Sequence, residues 1–281
     1  MTQQRAFSQV DVFSKTPTLG NPVAVVHDAD GLSDAQMQSF ARWTNLSETT
    51  FLMKPTQKGA DYRLRIFMPD GNELPFAGHP TLGSAHAWLA HGGQPSSPEY
   101  ITQECGIGLV KLRRTDTQLG FEAPELLRSG AIDDASLQKV LNALGVDRSR
   151  VVASNWVDNG PRFMGILLDS AESVLEVRPD LPALENAFVG LVGPHAKNGP
   201  ADYEVRAIVP TVSNGEDAAT GSLNGGLAKW LTGSKLAPPS YTVRQGTILK
   251  READIGIVTE ADQSIWITGH CSLVIQGTVT F

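Results

Sequence analysis

The chain has 281 residues, of which 41% are hydrophobic and 19% charged, as is typical of a globular protein with one large domain or two ordinary ones. Its formal net charge is −7 and no run of Lys or Arg stands out, which argues against a nucleic-acid-binding surface. Apolar runs of about 18 residues and signal-peptide patterns are absent, and two cysteines are too few for a disulfide framework. We therefore expect a cytoplasmic protein that does not enter a membrane.

Strand signals dominate the first part of the chain. Alternating or β-branched runs predict strands at residues 6–13, 21–28, 48–53, 61–69 and 106–114. Ser33 is a suitable N-cap for a helix over residues 34–44. A second helix is expected from Thr81 to about Leu89.

The later part of the chain has the same mixed character. Residues 134–145 predict an amphipathic helix that Gly145 ends, a short helical segment falls at 177–188, and another helix runs from about Gly221 to Leu231. Strands are predicted at residues 150–157, 162–169, 202–210, 241–248, 254–261 and 264–281.

A weak internal repeat relates residues 68–93 to residues 209–234. In each copy a strand ends in Pro, a polar Gly/Asn loop follows, and a helix of small residues ends in Trp-Leu. We expect two similar α+β halves, residues 1–118 and 119–267, with residues 268–281 returning to complete the first. The alternative is that two unrelated α+β segments look alike.

Both copies of the repeat place glycine beside a polar residue at a helix start. Four backbone N–H groups are unpaired at a helix start and the helix dipole is positive there, which favours a carboxylate or phosphate. One start is Gly78-His79, with Pro80 expected at the first helical position, and the other is Thr220-Gly221-Ser222. Ordinary helix capping is the alternative.

Three polar side chains are candidates for chemistry. Glu48 is the only charge between two apolar stretches, His79 precedes Pro80, and Asp217 precedes the second helix start. Each one taken alone is more often a solvated carboxylate, a structural histidine or a loop residue. Nucleophile-elbow, dinucleotide-binding, zinc and phosphate-loop motifs are missing, so we expect acid–base chemistry without a cofactor or a metal.

Five segments together resemble the phenazine-biosynthesis PhzF-like family. They are "GNPVAVV", "NLSETTF", "YRLRIFMPDGNELPFAGHPTLGSAHAWL", "EDAATGS" and "IWITGHCSLVIQGTVTF", and their order spans nearly the whole chain. Ala218 stands where the family motif has proline, and Ala77 stands where many members have cysteine.

The resemblance implies the diaminopimelate-epimerase-like α+β fold. In that fold two pseudo-symmetric domains each wrap a curved sheet around a central helix, with the site between them. It also implies a homodimer and a cofactor-independent isomerase acting on a small carboxylate, as in isomerisation of trans-2,3-dihydro-3-hydroxyanthranilate. By resemblance Glu48 transfers the proton, His79 and Asp217 assist, and the substrate is held at Gly78, Thr220, Gly221 and Ser222.

The cysteines discriminate between members of the superfamily. Related epimerases carry one cysteine at each central-helix start, whereas Cys105 and Cys271 lie in predicted strands, where buried inert thiols are the usual case. Two alternatives to the isomerase stay open. One is an amino-acid or hydroxy-acid epimerase that uses Glu48 with His79 or Asp217, and the other is a protein that binds a small anion without turnover.

Overall fold

The computed structural model describes residues 3–212 and 214–281. Residues 1, 2 and 213, which fall in the predicted first half and in the second copy of the repeat, lie outside the described part. The chain forms two compact units. The first runs to Glu122 and also contains Thr268–Phe281, and the second is Ala123–Ile267.

The first unit contains two helices, α1 (Asp34–Thr44) and α2 (Gly78–Ala90). Its strands are β1 (Gln4–Val12), β2 (Asn21–Val26), β3 (Thr49–Met53), β4 (Tyr62–Phe67), β5 (Glu73–Leu74), β6 (Tyr100–Cys105), β7 (Gly108–Arg114), β8 (Leu119–Glu122) and β18 (Cys271–Thr280).

The second unit contains the helices α3 (Asp134–Leu144), α4 (Ala171–Glu176), α5 (Leu181–Leu184) and α6 (Gly221–Gly233). Its strands are β9 (Arg128–Gly130), β10 (Val151–Asp158), β11 (Met164–Leu168), β12 (Val189–Pro194), β13 (Tyr203–Ile208), β14 (Glu216–Asp217), β15 (Ser240–Gln245) and β16 (Ala253–Thr259). The strand β17 (Ile265–Gly269) begins in the second unit, and its last two residues belong to the first.

The order and direction of strand pairing are the same in the two units. In the first, β1 is antiparallel to β2, β2 parallel to β3, β3 antiparallel to β4, β4 parallel to β6, and β6 antiparallel to β7. The strands β10, β11, β12, β13, β15 and β16 of the second unit repeat these five pairings in the same sequence. The internal repeat predicted from sequence therefore extends over most of each unit.

Each unit packs its strands against one buried central helix. Helix α2 contacts β1, β2, β3, β4, β8 and β18, and nine of its thirteen residues are buried. Helix α6 lies so close to β10 that a Cβ on Gly226 would be 2.5 Å from the Val157 carbonyl oxygen. The small residues noted in the repeat are there because the strands approach these helices closely.

Several predicted boundaries need correction. Helix α2 begins at Gly78, not Thr81, so Pro80 is the third helical residue and not the first. Proline is still tolerated there because the N–H groups of the first turn have no acceptor within the helix. Helix α6 continues past Leu231 to Gly233. Residues 119–122 form β8, which pairs with β7 and so belongs to the first unit, whereas the predicted boundary assigns them to the second half.

Among the described residues, no helix is long and apolar enough to cross a membrane.

The close approach of α6 to β10 gives a stability prediction. Gly226→Ala should lower the free energy of unfolding by roughly 1–3 kcal/mol, because the new methyl group meets a backbone carbonyl that cannot rotate away. Gly233→Ala in the same helix is the control. No atom lies within 4 Å of its added Cβ, so it should stabilise by up to about 1 kcal/mol. Urea unfolding measures both, and equal effects would refute the packing argument.

Candidate active site

Glu48 is placed by the connection between α1 and β3. The Ser33 capping box begins α1, and Asn45 ends it in the left-handed conformation at φ 53°. Three residues separate Asn45 from β3, where Thr49 is paired with Ala24 on one side and Phe67 on the other. Because the cap and the double pairing fix both ends of this short connection, the position of Glu48 is well defined. Its side chain is 15% exposed.

Gly78 and His79 are the first two residues of α2. A Cβ at Gly78 would lie 2.3 Å from Cζ of Phe121, so glycine is required for the helix start to pack against that ring. The preceding residue is Ala77, whose methyl side chain cannot cap the helix.

His79 is a buried, neutral imidazole. Burial lowers its pKa from 6.5 to about 3, and a hydrogen bond to Pro22 opposes this shift only in part. Proline has no N–H, so the ring must donate to the Pro22 carbonyl. Nε2 makes no hydrogen bond among the described residues, so Nδ1 is the donor and Nε2 carries the lone pair.

The lone pair of His79 faces the carboxyl group of Glu48. The distance from His79 Nε2 to Glu48 Oε2 is 3.4 Å, and the His79 side chain is only 5% exposed. The first unit therefore brings together two of the predicted catalytic residues, with Gly78 beside them. A carboxyl group next to a neutral imidazole acceptor can take up and release a proton.

The second unit brings together Asp217 and Thr220. Asp217 ends the short strand β14, and Thr220 is the N-cap of α6. The Thr220 hydroxyl donates to Asp217 Oδ2 at 2.5 Å, and it makes no capping hydrogen bond with the helix N–H groups. Gly221 is buried and Ser222 half-buried in the first turn of α6.

Asp217 is held by a buried ion pair that the sequence analysis missed. Arg206 donates from Nε to Glu216 Oε1 at 3.1 Å and from Nη2 to Glu216 Oε2 at 2.8 Å, and both side chains are at most 5% exposed. The same guanidinium donates to the carbonyls of Val174 and Val177 at the end of α4. Asp217 follows Glu216 directly, so this pair anchors the start of the loop that carries it.

The first unit contains the counterpart of this ion pair. Arg65 donates to both carboxylate oxygens of Glu73 at 2.7 and 2.6 Å, and also to Asp34 of α1. Extending the repeat by six residues upstream would have revealed both pairs, because "YRLRIF" and "YEVRAI" each place an arginine third from the end of the strand.

The two cysteines lie away from the helix starts. Cys105 is buried in β6 and Cys271 begins β18 half-buried, and both are free thiols. Burial raises the pKa of Cys105 and raises that of Cys271 to about 12, so neither is a thiolate at neutral pH. The helix starts carry Ala77 and Thr220 at their N-caps instead.

The sequence profile of the phenazine biosynthesis-like protein family, PhzC-PhzF, matches residues 10–277. The chain belongs to this family. It is similar to the Antisense-enhancing sequence 1 protein of Schizosaccharomyces pombe, with 37% identity over 98% of each chain. It is also similar to trans-2,3-dihydro-3-hydroxyanthranilate isomerase of Pseudomonas fluorescens, with 39% identity over 78% of this chain and 77% of the relative.

The fold of this PhzC-PhzF family member is shared with a solved structure. A phenazine biosynthesis protein of the PhzF family from Enterococcus faecalis superposes with a TM-score of 0.82, 23% identity and coverage of 99% of each chain. The predicted fold class is confirmed by this match, and the predicted isomerase by the Pseudomonas relative. The roles of Glu48, His79, Asp217, Gly78, Thr220, Gly221 and Ser222 stay predictions.

The neutral state of His79 gives a pH prediction for this family member. Its pKa is 6.5 when unfolded and about 3 when folded, so the unfolded chain binds more protons in that range. The contribution of His79 to stability is therefore complete above pH 6.5 and is lost as the pH falls towards 3. In His79→Gln, the decline in unfolding free energy below pH 6.5 should be shallower by about 1.4 kcal/mol per pH unit.

His27 provides the matched control. It is also buried, its Nε2 lies 2.8 Å from the Ser8 hydroxyl, and burial lowers its pKa to about 4. His27→Gln should flatten the same part of the profile. Denaturant unfolding at a series of pH values measures both variants, and a His79→Gln profile parallel to the wild type would show that His79 is protonated in the folded state.

Proposed function

We propose that this protein is a cofactor-independent isomerase that moves a proton between two carbon atoms of a small cyclic carboxylate. The chemical class is that of trans-2,3-dihydro-3-hydroxyanthranilate, on which a Pseudomonas relative of 39% identity is named to act. The observation that carries the proposal is the contact between the Glu48 carboxyl and the neutral imidazole of His79.

Glu48 is the proton carrier in this proposal. Its carboxylate takes a proton from an acidic C–H group, and the electron pair left behind is delocalised into the adjacent unsaturated system. The same carboxyl group then returns the proton to a second carbon on the same face of the ring. The reaction is balanced without an oxidant or a second substrate, because only a proton and a double bond change place.

His79 supports the protonated state of Glu48 between the two transfers. Nδ1 donates to the Pro22 carbonyl, so Nε2 offers a lone pair to a proton on Glu48 Oε2, 3.4 Å away. A cationic histidine could not accept that proton. The lowered pKa of His79 keeps it neutral at physiological pH and so keeps this acceptor available.

Gly78, Thr220, Gly221 and Ser222 are proposed to hold the substrate, with Asp217 as a further polar contact. Gly78 and Gly221 begin α2 and α6, each thirteen residues long, where backbone N–H groups and the positive end of the dipole favour an anion. The Thr220 hydroxyl donates its proton to Asp217, so this side chain does not cap the N–H groups at the start of α6. The substrate carboxylate is the group that such a helix start would bind.

The alternatives make different predictions for the product. An epimerase would return the proton to the same carbon and invert its configuration, whereas an isomerase moves a double bond. The two-thiol form of epimerase chemistry is disfavoured, since both cysteines lie outside the helix starts. A protein that only binds anions would give no product at all. Chiral analysis and ultraviolet spectra of the product separate the three.

A homodimer remains a prediction from the resemblance, and a cytoplasmic location remains a prediction from the composition of the sequence. Light scattering on the purified protein measures the first.

Glu48→Gln tests the proposed base. Glutamine keeps the shape and hydrogen-bonding capacity but cannot carry the proton, so kcat should fall by about 10⁴-fold while binding is retained. Turnover of trans-2,3-dihydro-3-hydroxyanthranilate is followed by loss of substrate, and binding by calorimetry with the inactive variant. Glu99→Gln is the control, because Glu99 is an exposed carboxylate outside the proposed site.

Turnover by Glu48→Gln within about threefold of the wild type would reject Glu48 as the base, since a positioned base contributes far more than this. The base would then have to be sought at Asp217 or His79. If the wild type in D₂O forms product that contains deuterium, the carboxyl group exchanges its proton with water between the two transfers. Product without deuterium means that the same proton is carried directly.

A further inference from the structure

Gln245 is a fully buried amide at the end of β15. Its backbone is fixed on both sides, because it is paired with Val205 of β13 and with Ala253 of β16. No part of its side chain is exposed. A buried amide is costly unless its donors and acceptors are satisfied, so its partners indicate what holds it there.

All four hydrogen-bonding positions of this amide are used, and all serve the start of α6. Oε1 accepts from the Thr220 N–H at 3.1 Å and from Asn224 Nδ2 at 2.8 Å. Nε2 donates to the Asp217 carbonyl and to the Thr220 hydroxyl, both at 3.1 Å. Rotating the amide by 180° would bring its NH₂ group against the Thr220 N–H and Asn224 Nδ2, which are also donors. A single orientation of the amide therefore satisfies the network.

The amide determines the direction of the next hydrogen bond. Gln245 Nε2 can only donate, so the Thr220 oxygen accepts from it. The one proton of the Thr220 hydroxyl is then directed to Asp217 Oδ2, at 2.5 Å. The result is a chain of two hydrogen bonds that ends on the carboxylate and starts from a group fixed in the sheet.

The position that matches Gln245 in the first unit is Cys105, the last residue of β6, and the buried amide of that strand, Gln103, makes no such chain. Gln103 is equally buried and donates to Thr81 of α2, while its oxygen accepts from the Tyr62 hydroxyl. By strand pairing and helix start, Asp217 and Thr220 correspond to Leu74 of β5 and to Ala77, the N-cap of α2, which have no polar side-chain atoms. The relay is therefore specific to the unit that carries the carboxylate.

We propose that Gln245 is a positioning residue, which fixes the orientation of the Asp217 carboxylate through the Thr220 hydroxyl. The inference rests on the proposed function in one respect, namely that Asp217 contacts the substrate. Gln245 itself is fully buried and acts only through its partners.

The test uses the full chain labelled with ¹³C at the aspartate carboxyl carbons, with the Asp217 resonance assigned from its loss in Asp217→Asn. Gln245→Met keeps the length of the side chain and removes the Nε2 donors, whereas Thr220→Val removes the hydroxyl. We expect both to shift the Asp217 resonance in the same direction and by the same amount, and the double variant to shift it no further. Thr220→Ser retains the hydroxyl and should keep the wild-type resonance.

Two controls address folding. Gln103→Met measures the loss of melting temperature caused by placing an apolar side chain at an equally buried glutamine. Gln245→Leu also lacks the donors, so it replaces Gln245→Met if that variant does not fold. An unchanged Asp217 resonance in the Gln245 variant, or shifts that add in the double variant, would overturn the inference.

Turnover separates this inference from the proposed function. If both hold, kcat of the Gln245 variant falls on the order of 10²-fold with KM little changed, as expected when a reacting group is misplaced. If Asp217→Asn turns over substrate normally while the resonance shifts are as expected, the positioning stands and the substrate contact of Asp217 fails. If Asp217→Asn turns over substrate poorly and the Gln245 variant leaves the Asp217 resonance unchanged, the positioning role of Gln245 is refuted and the proposed function stands.

Discussion

The constraint on which the structure depends is that a polar helix start is built inside an apolar, strand-covered interior. A buried polar group there is costly without a partner, since leaving it unpaired costs on the order of 1–3 kcal/mol. The second unit meets this requirement with Arg206 and Glu216, which tie β13, β14 and the end of α4 together. Breaking such a pair from one side leaves a buried charge and costs roughly 3–5 kcal/mol, so the loop that carries Asp217 has little freedom to move.

Both units contain an arginine–glutamate ion pair, and the pair is more exposed in the first unit than in the second. In the first unit Arg65 and Glu73 form the corresponding pair, but the Glu73 side chain is 41% exposed, against 5% for Glu216. Leu74 then occupies the place of Asp217, and the carboxylate of that unit comes from Glu48, on a different connection. The repeated backbone therefore provides two similar helix starts. They differ chemically because the carboxylate near each one comes from a different position in the unit.

Much of the fold could be read from the sequence, because caps and periodicity are local. Ser33 and Gly145 mark the ends of helices that the structure places at residues 34–44 and 134–144. The beginning of α2 was harder to predict, since the ring of Phe121, which requires glycine at position 78, lies more than forty residues away in sequence. Glu48, His79 and Asp217 were singled out from the sequence, and their predicted roles came from the resemblance. Pro22, Arg206 and Gln245 were not, because their importance lies in partners that only the fold brings near.

The first unit is discontinuous in sequence, and this has a consequence for synthesis. Strand β1 pairs with β18 from Gln4 opposite Thr280 to Val12 opposite Cys271, so one edge of β1 stays unpaired until residues 271–280 have been translated. The second unit is a single continuous segment and is complete before β18 emerges. The second unit can therefore fold on the ribosome before the first unit closes, although most of the first unit is translated earlier.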